Sequence, residues 1–231
     1  METLSEGYTR KTRSKTGLYQ SGLEMSSTTE STKLPMLGPS NFPQIVYTLG
    51  ECLVSMGTEA YLVGGTVRDA ITGRKTSDID ISVLGSAHKV ANDLTGRIGG
   101  RALTLDKDRD IARIVTRDNG YTTNLDITSY KDSINLDLKR RDFTVDAMAV
   151  RISSVRPSGD PISPLDPHGG ICDLHDKLIR RVTSTCFEED PARLMRAPRL
   201  AVQLGFDIQL NSLLILLNDK AFYIGDFYCA Y

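Results

Sequence analysis

The sequence has 231 residues, 40% of them hydrophobic and 25% charged, values typical of a globular protein with one large domain or two small ones. A formal net charge of −1 does not indicate general affinity for nucleic acid, so RNA contacts would have to come from local basic clusters. No apolar run approaches the roughly 20 residues that cross a bilayer, and no segment resembles a signal peptide, so no membrane association is expected. Four widely separated cysteines have neither zinc nor disulfide spacing, which indicates a reducing, cytoplasmic compartment.

Residues 1–38 are polar, rich in Ser, Thr, Lys and Glu, and lack apolar periodicity, so we expect a disordered tail. Met25 or Met36 could be the true start, which would make the tail an artefact of start-site choice. Structure is expected from about Ser40, where apolar residues at helical spacing predict a first helix. Ser40 is predicted to cap this helix and Gly57 to end it.

The stretch 61–83 reads as a strand, a glycine turn, a short helix, a loop and a second strand; its sequence is YLVGGTVRDAITGRKTSDIDISV. At Gly64 and Gly65 the backbone can approach an anion closely, because no side chain intervenes. Thr66 is predicted to cap the short helix and Gly73 to end it.

Two acidic residues, Asp78 and Asp80, begin the second strand of this stretch. Side chains alternate along a strand, so both carboxylates point to the same face. They repel each other there, and a bridging divalent metal would remove that repulsion. A lone Asp-x-Asp is nevertheless found most often in a solvated loop, so the rest of the chain has to support the metal interpretation.

The next elements predict a mixed α/β sheet. A second amphipathic helix is expected from a cap at Ser86 to the glycine pair at 99–100, followed by three strand candidates, RALTL, IARIVT and YTTNLDITSY. In the last of these, Asn124, Asp126 and Thr128 share one face. On local grounds alone, Asp126 is best interpreted as an ordinary carboxylate on an edge strand.

Basic residues cluster in two later segments. The segment 137–150, DLKRRDFTVDAMAV, places Arg140 and Arg141 before an apolar run, a pattern that also fits a solvated helix start. The segment 188–206, EEDPARLMRAPRLAVQLGF, predicts a helix that begins at Pro191. Three arginines lie off its apolar face: Arg193, Arg196 and Arg199. A surface helix in which Glu189 pairs with Arg193 would produce the same pattern.

Between these segments, residues 165–182 read LDPHGGICDLHDKLIRRV. The glycine pair predicts a turn, and KLIRRV predicts a strand. The two isolated histidines, His168 and His175, are expected to face solvent and receive no role.

The order of the glycine pair, Arg68-Asp69 and Asp-x-Asp resembles the signature of polymerase-beta-like nucleotidyltransferases. The fuller form, LVGGTVRD…GRKTSDID, is similar to class II tRNA nucleotidyltransferases (CCA-adding enzymes) and bacterial poly(A) polymerases, and the three later segments resemble further motifs of that family. The resemblance covers about residues 45–210. It implies an α/β head with a small mixed sheet flanked by helices, over 39–182, followed by the start of an all-α neck, over 183–231. The third motif, DP-x-GG-x-x-DL, is the hinge of the family.

The resemblance also implies a metal site. The context LDIT matches the position of a third carboxylate in the family, on a strand beside the first two. Asp78, Asp80 and Asp126 would then hold two Mg²⁺ ions for phosphoryl transfer.

The resemblance further implies nucleotide binding by residues of several motifs. These are Gly64, Gly65, Arg68, Arg140, Arg141, Asp142, Asp146, Glu189, Asp190, Arg193, Arg196 and Arg199. Asp142 would contact the ribose, and Asp190 with Arg193 would imitate a template base that accepts CTP and ATP. The chain departs from the family pattern at Asp146, where an Asn is usual, and at Pro198, which should kink the last helix.

The implied function is addition of C and A nucleotides from CTP and ATP to the 3′ end of tRNA, with no DNA partner. The alternatives are a poly(A) polymerase and a truncated, non-catalytic product that binds nucleotide; CC-only and A-only addition are not separable. The family continues with neck, body and tail domains that grip tRNA. This chain alone is therefore expected to bind nucleotide, to bind tRNA weakly and with strong salt dependence, and to add little or nothing. Residues 210–217 are expected to expose apolar surface.

Overall fold

The computed structural model describes residues 35–118 and 120–209. The helices are α1 (Ile45–Ser55), α2 (Gly64–Thr72), α3 (Ala87–Ile98), α4 (Ile134–Lys139), α5 (Gly170–His175), α6 (Cys186–Glu189) and α7 (Ala192–Leu204). The strands are β1 (Ala60–Val63), β2 (Asp78–Leu84), β3 (Arg101–Asp106), β4 (Ile111–Asp118), β5 (Tyr121–Tyr130), β6 (Ala149–Arg151), β7 (Leu178–Ile179) and β8 (Asp207–Ile208). The tail prediction for residues 1–34 and the apolar segment 210–217 lie outside the described residues.

Six strands form one mixed sheet in the order β3-β4-β5-β2-β1-β6. Strands β2 and β5 run parallel, and the other neighbours in the sheet are antiparallel. The predicted mixed α/β architecture is confirmed. Strand β5 lies inside the sheet, between β2 and β4, so the interpretation of Asp126 as an edge-strand carboxylate is wrong. Strand β4 pairs with the edge of β5 that does not face β2. Sequence periodicity alone does not show which strands pair.

Strands β2 and β5 each have one apolar and one polar face. Ile79, Ile81 and Val83 of β2 are buried in the main core, together with Leu125 and Ile127 of β5. Helices α1 and α3 pack together over this core, and α3 also contacts β4 and β5. Burial of each of these side chains contributes about 2 kcal/mol, so the apolar positions determine which face turns inward. The acidic positions of β2 and β5 are thereby placed on the opposite face.

Two predicted helix starts are wrong. Helix α1 begins at Ile45, and Ser40 lies in a preceding 3-10 turn, Pro39–Asn41. Helix α2 begins at Gly64, so Thr66 is not its cap; the buried Thr66 hydroxyl instead accepts a hydrogen bond from the Asp80 backbone N–H at 2.7 Å. The folded part of the chain also begins earlier than the predicted start near Ser40, because Leu37 is buried and pairs with Ile162.

The other predicted helix ends are confirmed. Ser86 accepts a hydrogen bond from the Lys89 N–H at the start of α3. Gly73 ends α2 with a left-handed backbone (φ 68°), a conformation that favours glycine. Helix α7 ends at Gly205 in the same way and continues through Pro198. Among the residues described, none of the helices has the length and apolar character needed to span a membrane.

Residues of the motif DP-x-GG-x-x-DL form hydrogen bonds that hold α5 against the turn Thr144–Asp146. Asp166 accepts hydrogen bonds from the first backbone N–H groups of α5 at 2.8 and 2.9 Å. The buried Asp173 accepts from the Thr144 hydroxyl at 2.5 Å and from Arg180 at 3.0 Å. A side chain on Gly170 would lie 2.2 Å from the Thr144 carbonyl oxygen, so only glycine fits there. The predicted strand KLIRRV is correct only at Leu178–Ile179, which pairs in parallel with β8.

Candidate active site

Three carboxylates lie on adjacent strands of the polar sheet face. In the parallel register of β2 and β5, Asp80 is opposite Asp126, and Asp78 is opposite Asn124. The Asn124 side-chain amide donates to Asp78 Oδ1 at 2.8 Å and so orients this exposed carboxylate. The three predicted acids are therefore brought together on one face, next to the start of α2.

The glycine pair gives the Asp80 carboxylate its space. A Cβ on Gly64 would lie 3.1 Å from Asp80 Oδ2 and 3.0 Å from Nη1 of Arg141. A Cβ on Gly65 would lie 3.3 Å from Asp80 Oδ2 and 3.2 Å from Nη2 of Arg68. Gly64 also has φ 58°, in the left-handed region. The pair thus allows an acid and two guanidinium groups to approach the turn together.

Burial raises the pKa of Asp80 to about 6. The negative charges of Asp146 and Asp126 raise this pKa further, and the positive charges of Arg141 and Arg68 oppose the shift. The environment therefore leaves part of the negative charge of this acid uncompensated. Carboxylate oxygens are the ligands that Mg²⁺ prefers, so the Asp78 and Asp80 donor set fits a hard divalent cation.

Asp126 is engaged by an arginine that the motif comparison missed. Arg113 on β4 lies opposite Asp126 in register and donates Nε to Oδ1 at 2.6 Å and Nη2 to Oδ2 at 2.7 Å. Within the described ranges, no group of three or more acid, His or Cys side chains is arranged to hold a metal ion. The alternation of IARIVT places Arg113 on the polar face and could have identified it, but not its partner.

Arg68 and Asp146 form a buried ion pair. Arg68 donates Nη1 to Asp146 Oδ1 at 2.5 Å and Nε to Asp69 Oδ1 at 2.9 Å. Burial raises the pKa of Asp146, and the charge of Arg68 opposes that shift. Asp146 occupies the position where the family pattern has an Asn. Its charge is balanced by Arg68, which lies 78 positions earlier in the sequence.

A second missed residue, Asp137, organises the arginines after α4. Its buried carboxylate accepts from Arg140 at 2.8 Å, from Arg141 at 3.2 Å and from the Ser82 hydroxyl at 3.2 Å. The acid precedes the two arginines in the motif at i and i+3/i+4 spacing, which is a helical pairing signal. Arg141 is thereby directed toward the glycine pair, and Arg140 stays more exposed.

The predicted base-reading residues are held by contacts within the protein. Arg193 donates to the carbonyl oxygens of Cys186 at 3.0 Å and Arg140 at 2.8 Å, and lies 3.5 Å from Glu189. Asp190 accepts from the Ala192 N–H at 3.1 Å and so caps α7. The surface pairing of Glu189 with Arg193 is therefore present.

Helix α7 also lies across a cavity from the acids of β2. Arg196 bonds Asp142 at 2.5 Å, so the predicted ribose-binding acid is tied to this helix. Between α7 and the acid strand is a cavity of about 300 Å³. It is lined by Gly65, Arg68, Asp69, Thr76, Asp78, Asp80, Asp146, Arg196, Arg199, Leu200 and Gln203. Seven predicted site residues thus face one cavity; Gly64, Asp126, Arg140, Arg141, Asp142, Glu189, Asp190 and Arg193 are outside its lining.

Known proteins are similar to this chain in sequence and in fold. The chain is 38% identical over 165 residues to the "CC-adding tRNA nucleotidyltransferase" of Geobacter sulfurreducens, covering 71% of this chain and 36% of that protein. The structure "Thermotoga maritima CCA-adding enzyme complexed with tRNA_CCA" matches with a TM-score of 0.63 and 32% identity, over 74% of this chain and 40% of that one. "The complex structure of CCA-adding enzyme with ATP" matches with a TM-score of 0.63 and 31% identity, with the same coverage.

The chain spans less than half the length of each of these proteins. Residues 60–180 match the family described as "Poly A polymerase head domain". This match includes the glycine pair, all three acids of the sheet and the arginines after α4. The chain therefore belongs to the poly(A) polymerase head-domain family, the group that the motifs of the sequence had indicated.

Proposed function

We propose that this protein is a template-independent nucleotidyltransferase that adds C and A nucleotides, from CTP and ATP, to the 3′ end of tRNA. The observation that carries the proposal is the cavity in which Asp78 and Asp80 face the arginines of α7. The names of its relatives, which include a CC-adding tRNA nucleotidyltransferase and CCA-adding enzymes bound to ATP and to tRNA, support these substrates.

Asp78 and Asp80, with Asp126 on the adjacent strand, would hold two Mg²⁺ ions. When bound, Mg²⁺ neutralises phosphate charge and lowers the pKa of an attacking hydroxyl. The protein contributes the donors and their spacing. Asn124 orients Asp78, and the glycine pair leaves the Asp80 carboxylate free to face the cavity.

The arginines divide into two groups. Arg196 and Arg199 are exposed on the cavity wall formed by α7, where they can donate to phosphate oxygens. Arg68 remains bonded to Asp146 and balances its charge, so a triphosphate would not meet an isolated carboxylate there. Phosphate binding is therefore assigned mainly to α7 and to Arg141, which lies beside the glycine pair.

Base choice is assigned to Asp190 and Arg193. A carboxylate accepts from the exocyclic amine that C and A share, and a guanidinium donates to ring or carbonyl acceptors; G and U lack that amine at the corresponding position. Arg193 donates to two backbone carbonyls in this structure, so base reading requires it to exchange those contacts for the base. The carbonyl contacts hold its guanidinium near the loop that follows α4.

The test is incorporation of labelled nucleotide into tRNA that lacks its 3′ end. Protein in excess over tRNA and Mg²⁺ are mixed with one labelled triphosphate at a time, because weak tRNA affinity is expected. The chain alone is expected to add little, so the readout is low-level incorporation: wild type should use C and A but not G or U, and the Asp78→Ala variant should use neither. Incorporation of A alone in long tails would assign the protein to poly(A) synthesis. Equal incorporation of all four nucleotides, or full activity of Asp78→Ala, would contradict the proposal.

A cytoplasmic location is part of the same proposal. Cys52, Cys172 and Cys186 are free thiols, which is consistent with a reducing compartment.

A further inference from the structure

Asp126 lies between two competing partners. Strand β5 is flanked by β2 on one side, where Asp80 is opposite Asp126, and by β4 on the other, where Arg113 is opposite it. In this structure Arg113 holds both carboxylate oxygens, at 2.6 and 2.7 Å. A two-point fork of this kind fixes the direction of a carboxylate as well as its charge. The Asp126 carboxylate is thus directed toward Arg113 on β4, and among the described residues it does not form a three-acid metal group with Asp78 and Asp80.

The contact between Arg113 and Asp126 can be exchanged. The two side chains are 34% and 23% exposed, so neither is locked in the core. Ion pairs with this degree of exposure contribute up to about 1 kcal/mol of net stability, and water or another cation can replace one partner. Asp126 also retains lone pairs that the fork does not use.

We propose that Arg113 is a positioning residue that holds Asp126 away from the acid pair and releases it when divalent metal binds. This inference rests on the proposed metal-binding role of Asp78, Asp80 and Asp126. Arg113 acts as the counter-ion of the acid cluster in the metal-free protein. A metal ion that uses Asp126 as a ligand has to displace Arg113, so the arginine and the metal compete.

Competition between Arg113 and the metal predicts that loss of Arg113 has opposite effects on stability and on metal affinity, which a purely structural arginine would not show. Loss of Arg113 should destabilise the metal-free protein, because three carboxylates then share one sheet face without this counter-ion. The same loss should increase affinity for metal, because nothing has to be displaced. For a partly exposed ion pair the increase should be up to about fivefold.

The experiment is a Mn²⁺ titration of the nucleotide-free, 231-residue chain, with free Mn²⁺ read by electron paramagnetic resonance. The proteins are wild type, Arg113→Met, Arg113→Lys and Arg117→Met. Arg117 is the matched control, because it lies four residues further along β4 on the same face and is exposed. Thermal unfolding of each protein is measured in EDTA and in Mn²⁺.

Arg113→Met should bind Mn²⁺ more tightly than wild type, by up to about fivefold, and Arg117→Met should equal wild type. Arg113→Lys should lie between them, because lysine keeps the charge but loses the two-point fork. Arg113→Met should also unfold at a lower temperature in EDTA and recover more than wild type on addition of Mn²⁺.

Unchanged or weaker Mn²⁺ binding by Arg113→Met would overturn the inference, as would absence of Mn²⁺ binding in all four proteins. Arg113→Lys equal to wild type would overturn it too, since charge alone would then explain the change in Arg113→Met. Mn²⁺ binding is read without tRNA or nucleotide, so it is independent of the proposed reaction. If wild type adds no nucleotide but the expected order of affinities holds, the proposed function fails and this inference stands.

Discussion

Replacing Asp80 with asparagine should stabilise the metal-free protein, although it removes a proposed metal ligand. Burial raises the pKa of Asp80 from 3.8 to about 6, so the folded protein binds this proton more tightly than the unfolded chain. Ionisation of Asp80 therefore destabilises the fold as the pH rises from about 4 to about 6, and the full effect is present above that range. Asparagine has no charge to bury and does not have this effect.

The expected gain in stability of Asp80→Asn follows from the same pKa shift of Asp80. A change of about 2 pK units corresponds to at most about 3 kcal/mol of unfolding free energy. For a chain of this length, this is a rise of about 6–12 °C in unfolding temperature. The gain should be largest at pH 8 and small at pH 4, where Asp80 is protonated in wild type.

The assay is urea and thermal unfolding of wild type and Asp80→Asn in EDTA, at pH 4 and pH 8. Asp78→Asn is the matched control, because this exposed acid lies two residues earlier on the same strand face and its replacement relieves no burial. Added Mg²⁺ should stabilise wild type at pH 8 and should have little effect on Asp80→Asn. A difference between Asp80→Asn and wild type that is the same at both pH values, or a loss of stability at pH 8, would refute the electrostatic reasoning.

Three further predictions follow from the geometry. Asp78→Ala should abolish nucleotide incorporation and leave the unfolding temperature nearly unchanged, because the side chain is exposed; a large loss of stability would contradict this. Arg193→Ala should relax discrimination against UTP and GTP by about ten- to hundredfold, since a lost hydrogen-bonding partner costs about 1–3 kcal/mol; unchanged selectivity in an active variant would assign Arg193 to structure alone. Gly170→Ala should destabilise the fold by more than about 3 kcal/mol in urea unfolding, because its Cβ would meet the Thr144 carbonyl at 2.2 Å. Gly96→Ala, inside α3 with open space around the new Cβ, should instead be neutral or stabilising by up to about 1 kcal/mol.

The local pattern of the acid strand was readable from the sequence. Alternation along DIDISV places Ile79 and Ile81 in the core and Asp78 and Asp80 on the opposite face, as the structure has them. The position of Asp126 beside Asp80 came from the family resemblance, because strand order is a property of the whole sheet that periodicity does not encode.

Contacts between distant parts of the chain could not be predicted in this way. Arg68 pairs with Asp146, 78 positions later, and no local pattern in the sequence shows that Asp146 has a counter-ion. Thr66 looked like a helix cap because threonine is common there, but its hydroxyl binds the backbone of β2. Alternation along β4 places Arg113 on the polar face of its strand, but only the register of the sheet identifies Asp126 as its partner.

We propose above all that Asp78 and Asp80 form, together with α7, a nucleotide site that depends on a divalent metal. Isothermal titration of the purified chain with CTP, in Mg²⁺ and then in EDTA, tests it most directly, with GTP and the Asp78→Asn variant as comparisons. We predict that CTP binds in Mg²⁺, that GTP binds at least about tenfold more weakly, and that EDTA or Asp78→Asn reduces CTP affinity by at least about tenfold. Equal affinity for CTP with and without Mg²⁺, or unchanged binding by Asp78→Asn, would contradict the account.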